Sequence, residues 1–289
     1  MKVAVIGGTG LLGQAIGAEW RRDELLLAGS RDVDIREQQQ VESFLRRHRP
    51  AWVVLAAAYS DVDGCERDPE LAEQVNHVGA IHVAKACRNQ RARLMFISTD
   101  YVFDGTKQTP YETGDPVSPL SVYGLSKAAA EKDIQRILPS ACIARISWLF
   151  GAERKCFANT AMGWAESGQV VRAFVDRKGI PNYNHDVAQA LEALVHAQAQ
   201  GTVHVINPGE ASWYEFACEL VHAAGLDAQV EVVRMDDLRL PARRPAYSAL
   251  SDASLQRYGI RIRHWRDALP DYLAQRQLKT SRLAANPAS

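Results

Sequence analysis

Tyr123 and Lys127 stand four residues apart, the separation that brings two side chains onto one face of a helix. A phenol beside an ammonium can give or take a proton near neutral pH. The neighbouring charge favours the phenolate and draws its pKa down from about 10. Of the nine tyrosines, Tyr123 alone has a lysine four residues on. A second polar set, Ser98-Thr99-Asp100, ends an apolar run and places two hydroxyls and a carboxyl together. The chemistry these groups can do is proton transfer, and the rest of the chain must bring them a reactant.

Their positions require a strand and a helix. Leu94 to Ile97 is a buried strand by its apolar run, and Ser118-Pro-Leu-Ser121 caps the helix that carries Tyr123 and Lys127. Three strands precede it, at residues 2–6, 24–28 and 52–55, and a fifth follows at 142–147. Between the first strand and a helical pattern to Arg21 lies Gly7-Gly-Thr9-Gly10-Leu11-Leu12-Gly13. Strand, glycine turn and helix in direct succession predict dinucleotide binding. The early glycines let the backbone approach a pyrophosphate, Gly13 lets the helix close on the sheet, and the helix N-terminus favours the anion.

An NAD-binding unit usually ends its second strand on an acid for the ribose hydroxyls, whereas this tip reads Gly29-Ser-Arg31-Asp-Val-Asp34. The missing acid with Arg31 close behind favours a 2′-phosphate, hence NADPH; Asp32 holding the ribose of NADH is the alternative. Ala56-Ala57-Ala58-Tyr59 offers small side chains against which a cofactor can lie. Asn76 falls in mid-helix between Pro69 and Asn89, where its weak propensity implies a specific partner.

Strands followed by helices or loops predict an α/β fold, a doubly wound parallel sheet of Rossmann type with ligands at the carboxyl ends. The glycine turn, residues 29–34, 56–59, 98–101 and Ser147-Trp148 all fall at that edge. After Gly151 the alternation weakens. The predicted organisation is a dinucleotide-binding domain over 1–151, with 184–207 rejoining it. Residues 152–183 and 208–275 form a smaller, discontinuous α/β substrate domain, and 276–289 a disordered tail. Ser212-Trp-Tyr-Glu215 has the capping-box pattern of a helix start.

At 289 residues with 47% apolar residues the chain can bury a sizeable core. Net charge is zero and the charges are mixed, which argues against nucleic acid or a membrane surface as partner. The first strand leaves no room for a signal peptide, and no apolar run approaches about 18 residues, so a cytoplasmic protein is expected. Five scattered cysteines suit reduced thiols, and the eight histidines form no tight ligand pair, so no metal site is expected.

The chain resembles the extended short-chain dehydrogenases/reductases, and within them the dTDP-4-dehydrorhamnose reductase family. The resemblance covers Met1 to about Leu273. It is carried by GGTGLLG at 7–13, AAAY at 56–59, ISTDYVFDG at 97–105, PLSVYGLSK at 119–127 and RISWLFG at 145–151. SWYEFA at 212–217 and RRPAYSALSD at 243–252 extend it. It implies hydride transfer from a nicotinamide to C4 of a nucleotide-linked 4-keto-6-deoxy sugar. Thr99 would hydrogen-bond the carbonyl oxygen and Tyr123 protonate it. Lys127 would lower the Tyr123 pKa and hold the nicotinamide ribose.

Cofactor contacts are expected from Gly7, Thr9, Gly10, Leu11, Leu12, Gly13, Arg31, Asp34, Ala56, Ala57, Ala58, Tyr59, Asn76, Ser98 and Ile146, besides Tyr123 and Lys127. Substrate contacts are expected from Val62, Asp100, Tyr101, Trp148, Arg177, Arg244 and Tyr247, although Asp100 and Tyr101 could equally hold the loop. Departures from the family pattern cluster in the substrate half. Asp-Lys-Ala-Glu becomes Asp63-Gly-Cys65-Glu, Asn-Phe becomes Cys156-Phe157, Asp-Gln becomes Asp176-Arg177, and Arg-Pro-x-Asn-Ser becomes Arg244-Pro-Ala-Tyr247-Ser248. Expected partners are a nucleotide sugar and, between proteins, a homodimer. The alternative is a cofactor-binding regulatory subunit like the methionine adenosyltransferase beta subunit. A dehydratase fits less well, because Thr99 is followed by Asp100-Tyr101 rather than Asp-Glu.

Overall fold

The computed structural model describes residues 1–285. β1 (Lys2–Ile6), β2 (Glu24–Ala28), β3 (Trp52–Leu55), β4 (Arg93–Thr99) and β5 (Cys142–Ile146) are short apolar runs at the predicted places. β3 and β5 are buried throughout, as strands covered on both faces of a parallel sheet must be. The helices alternate with them: α1 (Leu11–Glu19), α2 (Gln38–His48), α3 (Val62–Arg67), α4 (Pro69–Ala72), α5 (Gly79–Gln90) and α6 (Val122–Ile137). The stretch expected as one helix from Pro69 instead passes through a widened π turn, Glu73–Val78, between α4 and α5. Asn76 lies in that turn, where backbone bonds are already displaced.

β6 (Trp148–Phe150), α7 (Phe157–Glu166), β7 (Val171–Phe174), β8 (Lys178–Gly179) and β9 (Pro181–Tyr183) follow. α8 (Asn184–His196) and β10 (Gly201–His204) return to the main sheet, whose order is β10-β5-β4-β3-β1-β2, all parallel. Ile6 pairs with both Ala28 and Leu55, so β1, β2 and β3 end in line and their loops open on one edge. One face is covered by α1 and α8, tied where Trp20 Nε1 donates to Ala188 O at 2.7 Å. The other is covered by α2, α5 and α6.

The smaller half adds β11 (Ala211–Ser212), α9 (Trp213–Ala223), β12 (Val230–Val233) and α11 (Leu269–Ala285), whereas α10 (Ala253–Gln256) packs beside β10 on the main core. Ser212 and Glu215 form the expected capping box. Its strands pair two by two, β11 with β8, β12 with β7 and β6 with β9. They enclose a second core around Phe150, Met162, Tyr183, Phe216, Trp265 and Tyr272.

The disordered tail expected from Arg276 is corrected over 276–285, which continue α11. Arg276 pairs with Glu166, and Lys279 Nζ donates to Ala152 O at 2.9 Å, so tertiary contacts anchor the first residues of that stretch. Residues 286–289 lie outside the described residues. Among those described, no helix is long and apolar enough to cross a membrane.

Candidate active site

The loops at the carboxyl edge enclose a cavity of about 910 Å³, near the upper end for ligand pockets. Its dinucleotide end is made of backbone. Gly7 has φ +98°, a left-handed conformation that favours glycine, and a Cβ there would sit 2.4 Å from Ala57 N. A Cβ on Gly13 would sit 2.2 Å from Gly7 O, so only glycine lets α1 start this close to the turn. α1 begins at Gly10 with no side-chain cap and no acid in its first turn. Its first amides therefore stay open to an anion. Thr9, Leu11, Leu12, Asp34, Ala56, Ala57 and Ala58 complete this wall, with Arg36 beside Asp34. Arg36 is bidentate on Asp34, with Nη2 at 2.6 Å from Oδ2.

Asn76 and Tyr59 stand behind that wall rather than in it. Asn76 Oδ1 accepts from Tyr59 N at 2.8 Å, while its Nδ2 donates to Tyr59 O at 3.0 Å and to Ser126 Oγ at 3.1 Å. Ser126 Oγ in turn donates to Tyr123 O at 2.8 Å. Asn76 thus has the specific partner its position demanded, and it couples the Ala56–Tyr59 loop to the first turn of α6. The Tyr59 ring packs over Gly64, where a Cβ would lie 2.3 Å from its hydroxyl.

α6 is capped by Ser121, whose Oγ accepts from Gly124 N at 3.2 Å, and it delivers Tyr123 and Lys127 to the cavity beside Ser98, Thr99 and Ile146. Lys127 is only 2% exposed. Its Nζ donates to Ile97 O at 2.7 Å and lies 3.9 Å from the Phe96 ring centroid. Burial draws its pKa down from 10.5 to about 7, against the attraction of Glu131. The phenol of Tyr123 moves the other way: burial pushes it above its ordinary value, and a hydrogen bond with Thr99 offsets part of that. The expectation that Lys127 depresses this phenol is therefore corrected, because desolvation dominates both groups.

Asp100 is 2% exposed and joins three segments. Its Oδ1 accepts from Thr99 Oγ1 at 3.1 Å, and its Oδ2 accepts from Ser147 Oγ at 2.9 Å and from Ser248 Oγ at 2.6 Å. Beyond it the smaller half supplies Trp148, Phe157, Arg177, Trp213 and Arg244 to the wall, which Val62 and Tyr101 also line. Trp148 and Trp213 stack at 4.4 Å between ring centroids, and Arg244 Nη2 is 2.7 Å from Asp63 Oδ2.

Besides Asn76 and Tyr59, two predicted residues are not on the wall. Tyr247 is buried with Val102, Phe103, Tyr111 and Ile180 in a separate core, which corrects its expected substrate contact. Arg31 is exposed and off the wall, although Ser30 before it and Val33 and Asp34 after it line the cavity. Sequence reasoning missed Trp213, Arg154 and Lys155 as wall residues. Arg154 reaches back to donate to Thr9 O at 3.0 Å. The capping box before Trp213 marks a helix start, but nothing local says that this start faces a cavity.

A family model described as the RmlD substrate binding domain matches residues 1–278. The chain belongs to that family. Within it, the chain is 35% identical over 277 residues to the spore coat polysaccharide biosynthesis protein SpsK of Bacillus subtilis, covering 95% of this chain and 98% of the relative. It is 36% identical over 290 residues to a dTDP-4-dehydrorhamnose reductase of Mycobacterium tuberculosis, covering 97% and 95%. The crystal structure of the Bacillus anthracis dTDP-4-dehydrorhamnose reductase in complex with NADP superposes with a TM-score of 0.91 at 29% identity, covering 95% of this chain and 99% of that one. The six-stranded parallel sheet is thus that of the family, as the sequence pattern predicted.

Proposed function

We propose that the chain is an NADPH-dependent reductase of a nucleotide-linked 4-keto-6-deoxy sugar, of the dTDP-4-dehydrorhamnose reductase kind. The observation that carries this reading is that Thr99, Tyr123 and Lys127 share one cavity with a glycine cradle and an uncapped helix start. Relatives bearing that reductase name, and one solved with NADP, give the chemistry its class.

The cradle at Gly7 and Gly10 and the first amides of α1 would hold the dinucleotide phosphates, and Arg31 the 2′-phosphate. Bound there, the cofactor supplies hydride. Tyr123, its phenol held protonated by burial, gives its proton to the carbonyl oxygen as negative charge develops there. Thr99 keeps the phenol and that oxygen in line. Lys127, with its pKa near 7, holds the ribose and stands ready to return a proton to Tyr123. Val62, Tyr101, Trp148 and Arg244 would hold the nucleotide sugar where the sheet edge faces the half built from 152–183 and 208–275.

A panel of dTDP-, UDP-, GDP- and CDP-linked 4-keto-6-deoxy sugars, monitored for NADPH loss by absorbance, tests the reading. Oxidation of NADPH is expected only when a keto sugar is present, and fastest with dTDP. No turnover with any of the four would sink it.

A further inference from the structure

Arg177 is buried in the cavity wall without an acid of its own. It is 5% exposed and makes no ion pair among the described residues; Nη2 donates to the Tyr101 hydroxyl, and Nε has no partner. Its guanidinium lies 5.3 Å from the Tyr101 ring centroid, 5.5 Å from Trp148 and 5.1 Å from Trp213. Phe157 meets Trp213 edge-on at 4.4 Å, so the aromatic cage is itself braced.

The acids nearby are already used. The Asp100 carboxyl attracts Arg177 without pairing with it; its oxygens are taken by the hydroxyls of Thr99, Ser147 and Ser248. Asp63 is held by Arg244 Nη2 at 2.7 Å and by Ala242 N at 3.1 Å. Arg244 adds a second positive charge of the same sign to this end of the cavity. A guanidinium cannot escape burial by losing its proton, as a lysine can. Burying it unpaired is costly, and that cost is relieved when an anion arrives in the same dry site. The aromatic faces hold the planar fork in place, which suits bidentate recognition of oxyanions. The resemblance gives glutamine at this position, so the charge belongs to this chain.

We propose that Arg177 is a receptor for an anionic oxygen group of the substrate, the diphosphate of its nucleotide sugar. This rests on the nucleotide-sugar reading above and makes Arg177 a specificity-determining residue within it.

The test is calorimetric titration of the NADPH-loaded protein, wild type, R177Q and R177K, with thymidine, dTDP, UDP-glucose and UDP-glucuronate. The ratio of thymidine to dTDP dissociation constants isolates the phosphates, and the ratio for UDP-glucose to UDP-glucuronate isolates the sugar carboxylate. If Arg177 receives the diphosphate, the first ratio falls at least about tenfold in R177Q and less in R177K, which keeps the charge. A fall in the second ratio instead would overturn the diphosphate assignment, because a 6-deoxy sugar has no C6 carboxylate. Because each ratio cancels a general loss of affinity, R177K alone carries the test should R177Q not fold. Both ratios unchanged, with nucleotides still bound, would overturn the proposal and leave Arg177 a brace for Tyr101. Wild-type protein that binds none of the nucleotides would overturn the functional reading as well.

Discussion

Lys127 and Arg177 are both buried cations on the wall of one cavity, and the protein treats them differently. Lys127, at the sheet edge, has a backbone carbonyl at 2.7 Å and a pKa drawn down to about 7, so it can shed its charge. Arg177, in the substrate half, has a phenol hydroxyl, three ring faces and no way to discharge. On the reading proposed above, the sheet end moves protons and the far end holds an anion. The same desolvation gives opposite results because one side chain titrates within reach of neutral pH and the other does not.

Four changes would break or sharpen that contrast. Tyr123→Phe should lower turnover by about a hundred- to ten-thousand-fold while NADPH affinity, read by fluorescence titration, stays within about twofold. Near-normal turnover would remove proton transfer from the sheet end. Lys127→Met tests whether that end really bears a titratable cation. Because its folded pKa lies near 7 and its unfolded value near 10.5, the wild type releases a proton on folding between those limits. Its stability relative to the Met variant should therefore rise with pH from about 7 to 10.5 and be lowest below 7, a gap of up to a few kcal/mol in urea melts. A flat difference would mean that Lys127 is charged throughout.

Asp100→Asn acts at the junction of the two ends, where one carboxylate holds hydroxyls from β4, from the β5–β6 turn and from Ser248. A cost of about 1–3 kcal/mol is expected, with kcat falling more than KM rises as Thr99 loses its anchor. An effect on KM alone would make Asp100 a substrate contact instead. The smallest effect is expected at His185, whose Nδ1 is 2.7 Å from Glu19 and Nε2 2.5 Å from Glu153. Burial disfavours its cation, but the two carboxylates more than restore it and raise its pKa. Its stabilisation is therefore present below pH 6.5 and lost as pH climbs through the raised folded value. His185→Gln should flatten that part of the stability curve by about 1 kcal/mol while leaving the cavity residues in place. An unchanged curve would mean that the imidazole is neutral in the fold.

Much of the sheet end was legible in the chain. GGTGLLG, the buried runs of β1, β3 and β4 and the Ser121 cap each lie within a few contiguous residues. Their meaning comes from local φ, local period and local capping. Even the partner of Asn76 was announced by a polar residue in mid-helix, although the widened turn around it was not. The substrate end resisted the same treatment. Tyr247 read as a sugar contact but packs in a core of its own, while Trp213 read as an ordinary helix start but faces the cavity. Residues 276–285 read as a tail but continue α11, because Glu166 and the carbonyl of Ala152 lie elsewhere in the chain.

By itself the sequence determined the parallel sheet and the dinucleotide turn, and put Thr99 at a strand end and Tyr123 and Lys127 on one helix, since backbone geometry and strand ends are written in adjacent residues. The tertiary structure alone decided that burial outweighs Lys127 in setting the Tyr123 phenol, and that Arg177 is enclosed by Tyr101, Trp148 and Trp213. Those outcomes depend on which distant segments exclude water from a group, and desolvation has no local signature.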